Sequence, residues 1–221
     1  QRRGWEILYV ELGDLLLRDG LPYAYSQTLL VRDSLDDWYE FVDEKRLLPL
    51  AELDVVLMRK DPPFDMRFIY ATYMLDHAKA AGVLVVNDPQ AIRDCNEKLF
   101  ATWFSEYMSP TIVSSKQAHI RKFIAEQQDV IVKPLDGMGG ASVFRVQKGD
   151  ANASVIFETL TELEYRYCMA QRYLPAIAEG DKRILMIDGE PVPYALARIP
   201  AEGELRGNLA AGGQGAPLVP A

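Results

Sequence analysis

The sequence predicts a protein of mixed class, with a parallel α/β layer first and α+β units with antiparallel sheets after it. Two nearly continuous apolar runs, LDVVLMRK (53–60) and VLVVND (83–88), enclose a segment of helical periodicity (66–82), and this order predicts parallel strands. In the second half, strand-like runs separated by glycine turns are typical of antiparallel sheets. A hairpin pattern around Asp188-Gly189 begins a further unit.

Composition excludes several classes of protein. The 221 residues carry a formal net charge of -8 with 49% hydrophobic residues, which argues against a general nucleic-acid coat and favours a soluble globular protein. The sequence contains no run of about 18 apolar residues, the length that a membrane helix requires. Cys95 and Cys168 are too few for a disulfide framework and lack metal-ligand spacing. We therefore expect a cytoplasmic protein without nucleic-acid or membrane partners.

The first domain is predicted to span residues 1–94. Its opening QRRG is typical of the end of a helix, so the strand that would begin this domain is expected to precede Gln1. WEILYVEL (5–12) predicts a strand, and Asp19-Gly20 predicts the turn of a hairpin. Because the two long apolar runs barely alternate, we expect their strands to be covered on both faces.

Two further domains are predicted, at 95–173 and 174–221. The second opens with a predicted helix over DCNEKLFATWFSEY, followed by a strand TIVSS and a helix from Lys116 to Gln128. The third begins with the hairpin, and the tail after Pro200 is predicted to be a loop because it holds five of the fifteen glycines without an apolar period. The remainder of this third domain is expected beyond Ala221.

The stretch DVIVKPLDGMGGASVFRV (129–146) joins a strand, Lys133, a glycine turn and a second strand. Glycines expose backbone N–H groups that suit phosphate oxygens. A Walker loop would place its lysine after the glycines, and a dinucleotide fingerprint would continue into a helix, so neither motif fits. Taken alone, the turn favours a plain hairpin. The functional interpretation is a flap over phosphates with a strand lysine pointing at them.

Six phrases together resemble the bacterial-type glutathione synthetases, a family of the ATP-grasp superfamily. They are LMRKDPPFD, NDPQAIRDCNEKLF, IVKPLDGMGGASVFRV, YCMAQRYLPA, GDKRILMIDGEPVPYALARIP and RGNLAAGGQG. The resemblance runs from about Gln1 to Gly215. It implies an ATP-grasp fold, α/β and α+β, preceded by a partial parallel α/β substrate domain and truncated in its C-terminal part. The implied activity is ATP-dependent joining of γ-glutamylcysteine to glycine through an acyl phosphate.

The resemblance implies nucleotide-binding roles for two lysines, the flap, a hinge and one aspartate. These residues are Lys98, Lys133, Gly137, Met138, Gly139, Gly140, Ala141, Ser142, Gln171, Arg172, Tyr173, Leu174 and Asp181. The alternatives are an exposed surface lysine for Lys133 and an i,i+4 partner of Asp94 for Lys98. Tyr173 and Leu174 could instead be core residues, and a capping or turn role is equally open for the aspartate.

Two arginines are implied to be catalytic. Arg183 and Arg198 lie on the two arms of the predicted hairpin, where alternation would put both on one face. Guanidinium groups suit an acyl phosphate and its tetrahedral intermediate. Solvated surface arginines are the alternative.

Four further residues are assigned to substrates. Arg59 and Asp61 follow a predicted parallel strand, where open α/β sheets bind ligands, and we expect them to contact the dipeptide. Arg206 and Asn208 belong to a segment, Ile199 to Gln214, that resembles a mobile loop of the family and is implied to close over the substrates. A disordered linker is the alternative for this segment.

The implied cofactors are ATP and Mg²⁺, with Mn²⁺ as a possible substitute. The family's metal ligands would lie beyond Ala221, so no metal residue is assigned and the 221-residue chain alone is expected to be inactive. The implied partners are ATP, γ-glutamylcysteine, glycine and further copies of the chain in a homotetramer. Another ATP-grasp carboxylate–amine ligase, or a non-catalytic nucleotide-binding protein of this fold, are the alternatives.

Overall fold

The structure is a computed structural model that describes residues 3–61, 63–204 and 206–218. Gln1 and Arg2, on which the predicted helix end partly rests, lie outside these ranges. The chain divides into two compact units, Gln1–Asn96 and Glu97–Ala221. The finer division into three domains stays a prediction.

The first unit is built on one long strand that pairs with four shorter ones. Its described elements are β1 (Leu8–Tyr9), β2 (Leu15–Arg18), β3 (Leu21–Val31), β4 (Tyr39–Phe41), β5 (Arg46–Pro49), β6 (Val55–Leu57), α1 (Met66–Ala80), β7 (Leu84–Val86), α2 (Pro89–Asp94) and 3₁₀ turns at Leu12–Asp14 and Leu50–Glu52. All four partners run antiparallel to β3. The predicted hairpin turn is confirmed, with Asp19 and Gly20 both at positive φ.

The predicted strand–helix–strand unit is confirmed, because β6 and β7 are parallel and α1 connects them. Asp65 begins the helix by accepting a hydrogen bond from the Phe68 N–H, and Gly82 follows its end at φ +98°. The expectation of cover on both faces is wrong within the described residues. Val85 is buried, whereas Leu57 and Leu84 on the other face are about 60% exposed, so one face of this two-stranded sheet is open.

The predicted strand over WEILYVEL is shorter than expected. It is reduced to β1, because the chain turns into a 3₁₀ segment at Leu12–Asp14. The Asp14 carboxylate fixes this turn by accepting from the Glu11 N–H and from Lys45 Nζ, at 3.0 and 2.7 Å.

The second unit contains a four-stranded and a three-stranded sheet. Its described elements are a 3₁₀ segment at Phe100–Tyr107, β8 (Thr111–Ser114), α3 (Gln117–Gln127), β9 (Asp129–Pro134), β10 (Phe144–Gln147), α4 (Ala153–Thr161), β11 (Cys168–Arg172), a 3₁₀ turn at Pro175–Glu179, β12 (Asp181–Ile187), β13 (Glu190–Ile199), a 3₁₀ turn at Leu209–Ala211 and β14 (Gln214–Leu218). The helix predicted over DCNEKLFATWFSEY is wrong in type. Its observed part is 3₁₀, and Phe104 interrupts it with non-helical φ/ψ.

The four-stranded sheet is antiparallel in the order β10-β9-β11-β8, as the strand pattern predicts. One face packs on α3 and α4, where Phe157, Ile120 and Val132 are fully buried. Alternation along the strands therefore leaves the opposite face free of these two helices.

The three-stranded sheet has the order β12-β13-β14, with the predicted turn at Asp188-Gly189. The prediction that the whole tail is a loop is wrong, because Gln214–Leu218 pairs with β13. The open edge of β13 supplies backbone partners, and a short Gly-rich segment needs no hydrophobic period to use them.

Candidate active site

Alternation along β9 decides where Lys133 points. Val130 and Val132 face the helices and are fully buried, so Ile131 and Lys133 belong to the opposite face of the sheet. β11 continues this face, because Met169 lies opposite Lys133 and Gln171 lies opposite Ile131. The polar ends of Lys133 and Gln171 therefore lie on the face of the sheet that is turned away from the core.

Lys133 is a half-buried lysine with a neutral partner. Its Nζ donates to Gln171 Oε1 at 2.5 Å. Burial lowers the pKa of Lys133 below its usual range, and the nearby positive charge of Lys98 lowers that pKa further. The amide satisfies one N–H without neutralising the ammonium, so positive charge is concentrated at this point. An exposed surface lysine, the alternative, does not describe this residue.

Lys98 contacts the loop that connects β9 to the flap. Its Nζ donates to the carbonyl of Gly137 at 2.8 Å and to the carbonyl of Leu135 at 3.2 Å, and lies 3.5 Å from the Glu97 carboxylate. Asp94, the other partner considered, accepts instead from Gln90 Nε2 at 2.9 Å. Lys98 is therefore tied to the flap backbone.

The flap, residues 137–142, is a turn in the left-handed region. Gly137, Gly139 and Gly140 have φ of +111°, +71° and +81°, and Ser142 has φ of +56°. Glycine adopts these angles without the steric cost of a Cβ. Met138 is half-exposed within the turn, and Ala141 N–H donates to its carbonyl at 3.4 Å. The strand predicted to begin at Ala141 begins later, at Phe144.

The predicted hinge, Gln171 to Leu174, comprises the last two residues of β11 and the two residues that follow it. The Arg172 and Tyr173 N–H groups donate to the carbonyls of Pro110 and Asp129, at 2.9 and 3.0 Å. The guanidinium of Arg145 lies 3.9 Å from the centre of the Tyr173 ring, a cation–π contact, so Tyr173 is not a simple core residue. Leu174 is half-exposed, which is not the burial expected of a core residue.

Asp181 and Arg198 form a bidentate pair across β12 and β13. Arg198 Nε and Nη2 each donate to a different carboxylate oxygen at 2.7 Å, and this contact raises the pKa of the arginine. Asp181 and Arg198 lie opposite each other in the pairing of the two strands, so their side chains share a face of the sheet. Arg183 lies two residues further along β12 and is therefore on that same face. Arg183 is exposed, whereas the fork of Arg198 is already occupied by the aspartate.

The segment after Pro200 packs against the flap. Arg206 Nη1 donates to the Gly140 carbonyl at 3.1 Å, and its guanidinium is paired with Glu204 at 2.6 Å. A Cβ on Gly140 would lie 2.7 Å from Asn208 Oδ1. Arg206 and Asn208, predicted to reach the ligand, therefore meet the flap.

Gly207 seats this segment on the hairpin. A Cβ on the buried Gly207 would lie 2.7 Å from the carbonyl oxygen of Arg198, and a Cβ on Gly180, the residue before β12, would lie equally close to the same oxygen. The close approach of the backbone therefore requires glycine at both positions.

Arg59 and Asp61 follow the end of β6, and both are exposed. The Arg59 N–H donates to the Leu57 carbonyl at 3.0 Å. Their assignment to the dipeptide stays a prediction.

The fit of a divalent cation can be tested on the side chains present. Among residues 3–61, 63–204 and 206–218, no three histidine, cysteine, aspartate or glutamate side chains are grouped so that they could hold a metal ion. The described residues do not supply that site.

Within residues 3–61, 63–204 and 206–218, every helix is too short or too polar to cross a bilayer.

Sequence reasoning missed two contacts of the site. Thr111 accepts from Gln171 Nε2 at 2.9 Å, and Glu204 holds Arg206. Neither residue stands in a motif. The contact of Thr111 depends on strand register, which becomes visible once the sheet is assembled.

An antiparallel sheet, a left-handed glycine flap and two lysines beside it define a protein of the ATP-grasp class. Two family models match the chain: prokaryotic glutathione synthetase, N-terminal domain, over residues 1–93, and prokaryotic glutathione synthetase, ATP-grasp domain, over residues 97–218. The chain belongs to the prokaryotic glutathione synthetase family, so the resemblance of its sequence motifs is confirmed.

Curated relatives agree with this assignment. Glutathione synthetase of Yersinia pestis is 62% identical over 215 residues, covering 97% of this chain and 67% of the relative. Glutathione synthetase of Escherichia coli K12 is 60% identical over 217 residues, covering 98% and 68%.

Solved structures share the fold at much lower identity. The crystal structure of the D-cycloserine synthetase DcsG has a TM-score of 0.56 at 18% identity, covering 69% of this chain and 54% of that one. The macrocyclase MdnC from Microcystis aeruginosa has a TM-score of 0.50 at 13% identity, covering 96% and 65%. These similarities support the ATP-grasp fold.

Proposed function

We propose that this chain carries the nucleotide-binding part of a glutathione synthetase, which joins γ-glutamylcysteine to glycine and converts ATP to ADP and phosphate. The observation that carries the proposal is the half-buried Lys133, next to the positively charged Lys98 and the glycine flap, in a chain about 60% identical to glutathione synthetases. Another ATP-grasp carboxylate–amine ligase is the weaker candidate, because the solved structures of enzymes with other activities resemble the chain only in fold.

The reaction proceeds in two transfers. The dipeptide carboxylate attacks the γ-phosphorus of ATP, the bond to the β-phosphate oxygen breaks, and ADP leaves with that electron pair. The neutral amine of glycine then attacks the acyl carbon, phosphate leaves, and the amine loses a proton. The first step develops negative charge on the transferring phosphoryl group and the departing ADP, and the second step develops it on the acyl oxygen and the departing phosphate, so preorganised cations accelerate both.

Lys133 and Lys98 are the cations that we assign to the ATP phosphates. The neutral amide beside Lys133 leaves its charge and its remaining N–H donors available. Lys98 would exchange the Gly137 and Leu135 carbonyls for phosphate oxygens, and the released flap could then approach the nucleotide. The flap glycines offer backbone N–H groups for that approach.

The hinge and the hairpin hold the other parts of the substrates in this proposal. Backbone groups of Tyr173 and Leu174 receive the adenine, and Arg183 receives the acyl phosphate. Asp181 keeps the Arg198 guanidinium fixed in the sheet until the intermediate forms. Arg206 and Asn208 cover the flap, while Arg59 and Asp61 contact the dipeptide.

ATP-grasp ligases in general use a divalent metal, which supplies electrostatic stabilisation of the transferring phosphoryl group. We propose Mg²⁺ as that metal. Because the described residues offer no grouped metal ligands, no step here depends on a metal contact of this chain.

The substrate assignment is tested with the full-length protein. We expect phosphate release from ATP to require γ-glutamylcysteine and glycine together, because the acyl phosphate needs a carboxylate donor and an amine acceptor. The measurement is phosphate release with each substrate alone, with both, and with D-alanine as the control amino acid. Equal turnover with D-alanine alone would refute the assignment.

We also infer that the protein is a homotetramer, as the family resemblance implies, and that it works in the cytoplasm, as its two cysteines suggest. Cys95 is exposed and Cys168 is buried, and neither is in a disulfide, which supports a reducing compartment. Light scattering of the full-length protein would give the mass of the assembly, and a monomeric mass would contradict this inference.

A further inference from the structure

Three polar side chains form a row across three strands of the four-stranded sheet. Thr111 on β8 lies opposite Gln171 on β11, and Lys133 on β9 lies one diagonal step from Gln171 on the same face. Gln171 Nε2 donates to Thr111 Oγ1 at 2.9 Å, and Lys133 Nζ donates to Gln171 Oε1 at 2.5 Å. The row connects the edge strand of the sheet to the lysine of the proposed site.

The direction of every hydrogen bond in this row is determined. Thr111 Oγ1 gives its single proton to the Ser109 carbonyl at 2.7 Å, so towards Gln171 it can only accept. The amide must therefore turn its NH₂ to the threonine and its oxygen to the lysine. The opposite orientation would bring amide protons against an ammonium group.

We propose that Thr111 and Gln171 are positioning residues that hold the ammonium of Lys133 in place for the phosphates of ATP. This inference rests on the proposed function of Lys133. Gln171 then acts through its side chain as well as through the hinge backbone.

A neutral acceptor is suited to this role. A carboxylate at the position of Gln171 Oε1 would hold the lysine equally well, but it would neutralise the ammonium and compete with phosphate. The amide restrains one of the three N–H donors and leaves two for the ligand. The Gln171 amide in turn is restrained by Thr111, so loss of the threonine hydroxyl would free the amide to rotate.

The test measures ATP affinity of the full-length protein by calorimetry, and ATP turnover alongside it. Thr111→Val removes the hydroxyl at nearly constant shape, and we expect ATP to bind about three- to tenfold more weakly, the effect of one hydrogen bond. Thr111→Ser keeps the hydroxyl and is expected to restore the affinity. Gln171→Glu is expected to weaken ATP binding more than Thr111→Val does, because it neutralises Lys133.

A double-mutant cycle separates positioning from a purely structural effect. In a Lys133→Met background, Thr111→Val should have no further effect on ATP affinity, because its effect passes through the lysine. Thr159→Val is the matched control, since that hydroxyl donates to the Val155 carbonyl on the exposed side of α4. Matched melting curves exclude unfolding.

The outcomes are distinguishable. If Lys133→Met weakens ATP binding while Thr111→Val does not, the positioning inference fails and the proposed function stands. If Thr111→Val weakens binding equally in both backgrounds, its role is structural and the inference fails. If Lys133→Met leaves ATP binding intact, the proposed role of the lysine fails first.

Discussion

Lys133 lies at a partly buried position, where its positive charge lowers the free energy of unfolding. Burial lowers its pKa, which means that the folded protein favours the neutral form more than the unfolded chain does. Its hydrogen-bond partner among the described residues is a neutral amide, which does not balance the charge. A group that is retained at a cost to stability is a candidate for function.

Replacing this lysine should therefore change activity and stability in different directions. In the full-length protein, Lys133→Met is expected to lower turnover by about a hundredfold, the loss typical of one preorganised electrostatic contact. The melting temperature should stay equal or rise, because Met fills the same space without a charge to desolvate. Phosphate release and thermal melting are the measurements, with Lys122→Met on the exposed face of α3 as the control. A near-normal rate of turnover in a folded variant would mean that Lys133 does not contribute to catalysis.

The lowered pKa also predicts a pH dependence. Lys133 loses its proton at a lower pH than the ordinary value of 10.5, so ATP affinity should decline on the alkaline side as the ammonium of Lys133 is lost. The sign for stability is opposite. The cost of the buried charge is present below the lowered pKa and is relieved as pH rises from there towards 10.5. The measurement is ATP affinity across this pH range for the wild type and for Lys133→Met. We expect the variant to lack the alkaline decline, and an identical decline in both proteins would contradict the prediction.

Among the elements, the segment after Pro200 links the flap to the hairpin. Gly207 needs close approach to the Arg198 carbonyl, and Arg206 bonds to the Gly140 carbonyl. The segment is thus held by backbone contacts and not by an apolar stripe.

Gly207→Ala should detach this segment. Its Cβ would lie 2.7 Å from a backbone oxygen that cannot rotate away, so we expect faster proteolysis between Ile199 and Gln214. ATP with the dipeptide should slow cleavage of the wild type, because closure protects a labile acyl phosphate from water. Limited proteolysis with and without ligands is the measurement. The control is Gly203→Asn, because Gly203 has φ of +80° and nothing within 4 Å of its Cβ position, and Asn tolerates that region. Equal cleavage of the two variants would mean that the close approach does not hold the segment.

Elements with a strong local signal could be predicted from the sequence. The turns at Asp19-Gly20 and Asp188-Gly189 and the helix between Lys116 and Gln128 match the structure, since turn chemistry and helical periodicity are local. Strand β14 could not be predicted, because its stability comes from the edge of β13.

The site was predictable as residues but not as contacts. Lys133 and the flap glycines stand in a recognisable motif, whereas Gln171 lies 38 positions from its partner. Whether Arg198 is free or paired with Asp181 depends on the register of two strands, and alternation alone does not show it. Resemblance to the family suggests the roles of these residues, whereas the pairing of the strands determines which side chains are in contact.

For the molecule as a whole, two sheets expose apolar side chains. Leu57 on β6 and Ile187 on β12 are about 60% exposed, and the net charge of -8 at pH 7 opposes self-association. We expect the 221-residue chain to bind a hydrophobic dye and to scatter light most strongly near pH 4.9, where its charge vanishes. Leu57→Gln and Ile187→Gln should reduce both signals.

Leu35→Gln is the control for these substitutions, because Leu35 is 98% exposed and lies outside the strands. If it reduces the signals as much as the other two substitutions, the sheet faces are not the associating surfaces.

The alternation along β9 has a consequence for how this protein can change in length. Odd residues of the strand lie on the ligand face and even residues lie on the core face, so inserting a single residue between Ile131 and Val132 would turn Lys133 into the core and Val132 to the ligand face. The turn at Lys148-Gly149 has no such constraint, because it is exposed and Gly149 has open space around it. Insertions in engineered or natural variants should therefore be tolerated at that turn, while β9 keeps its length.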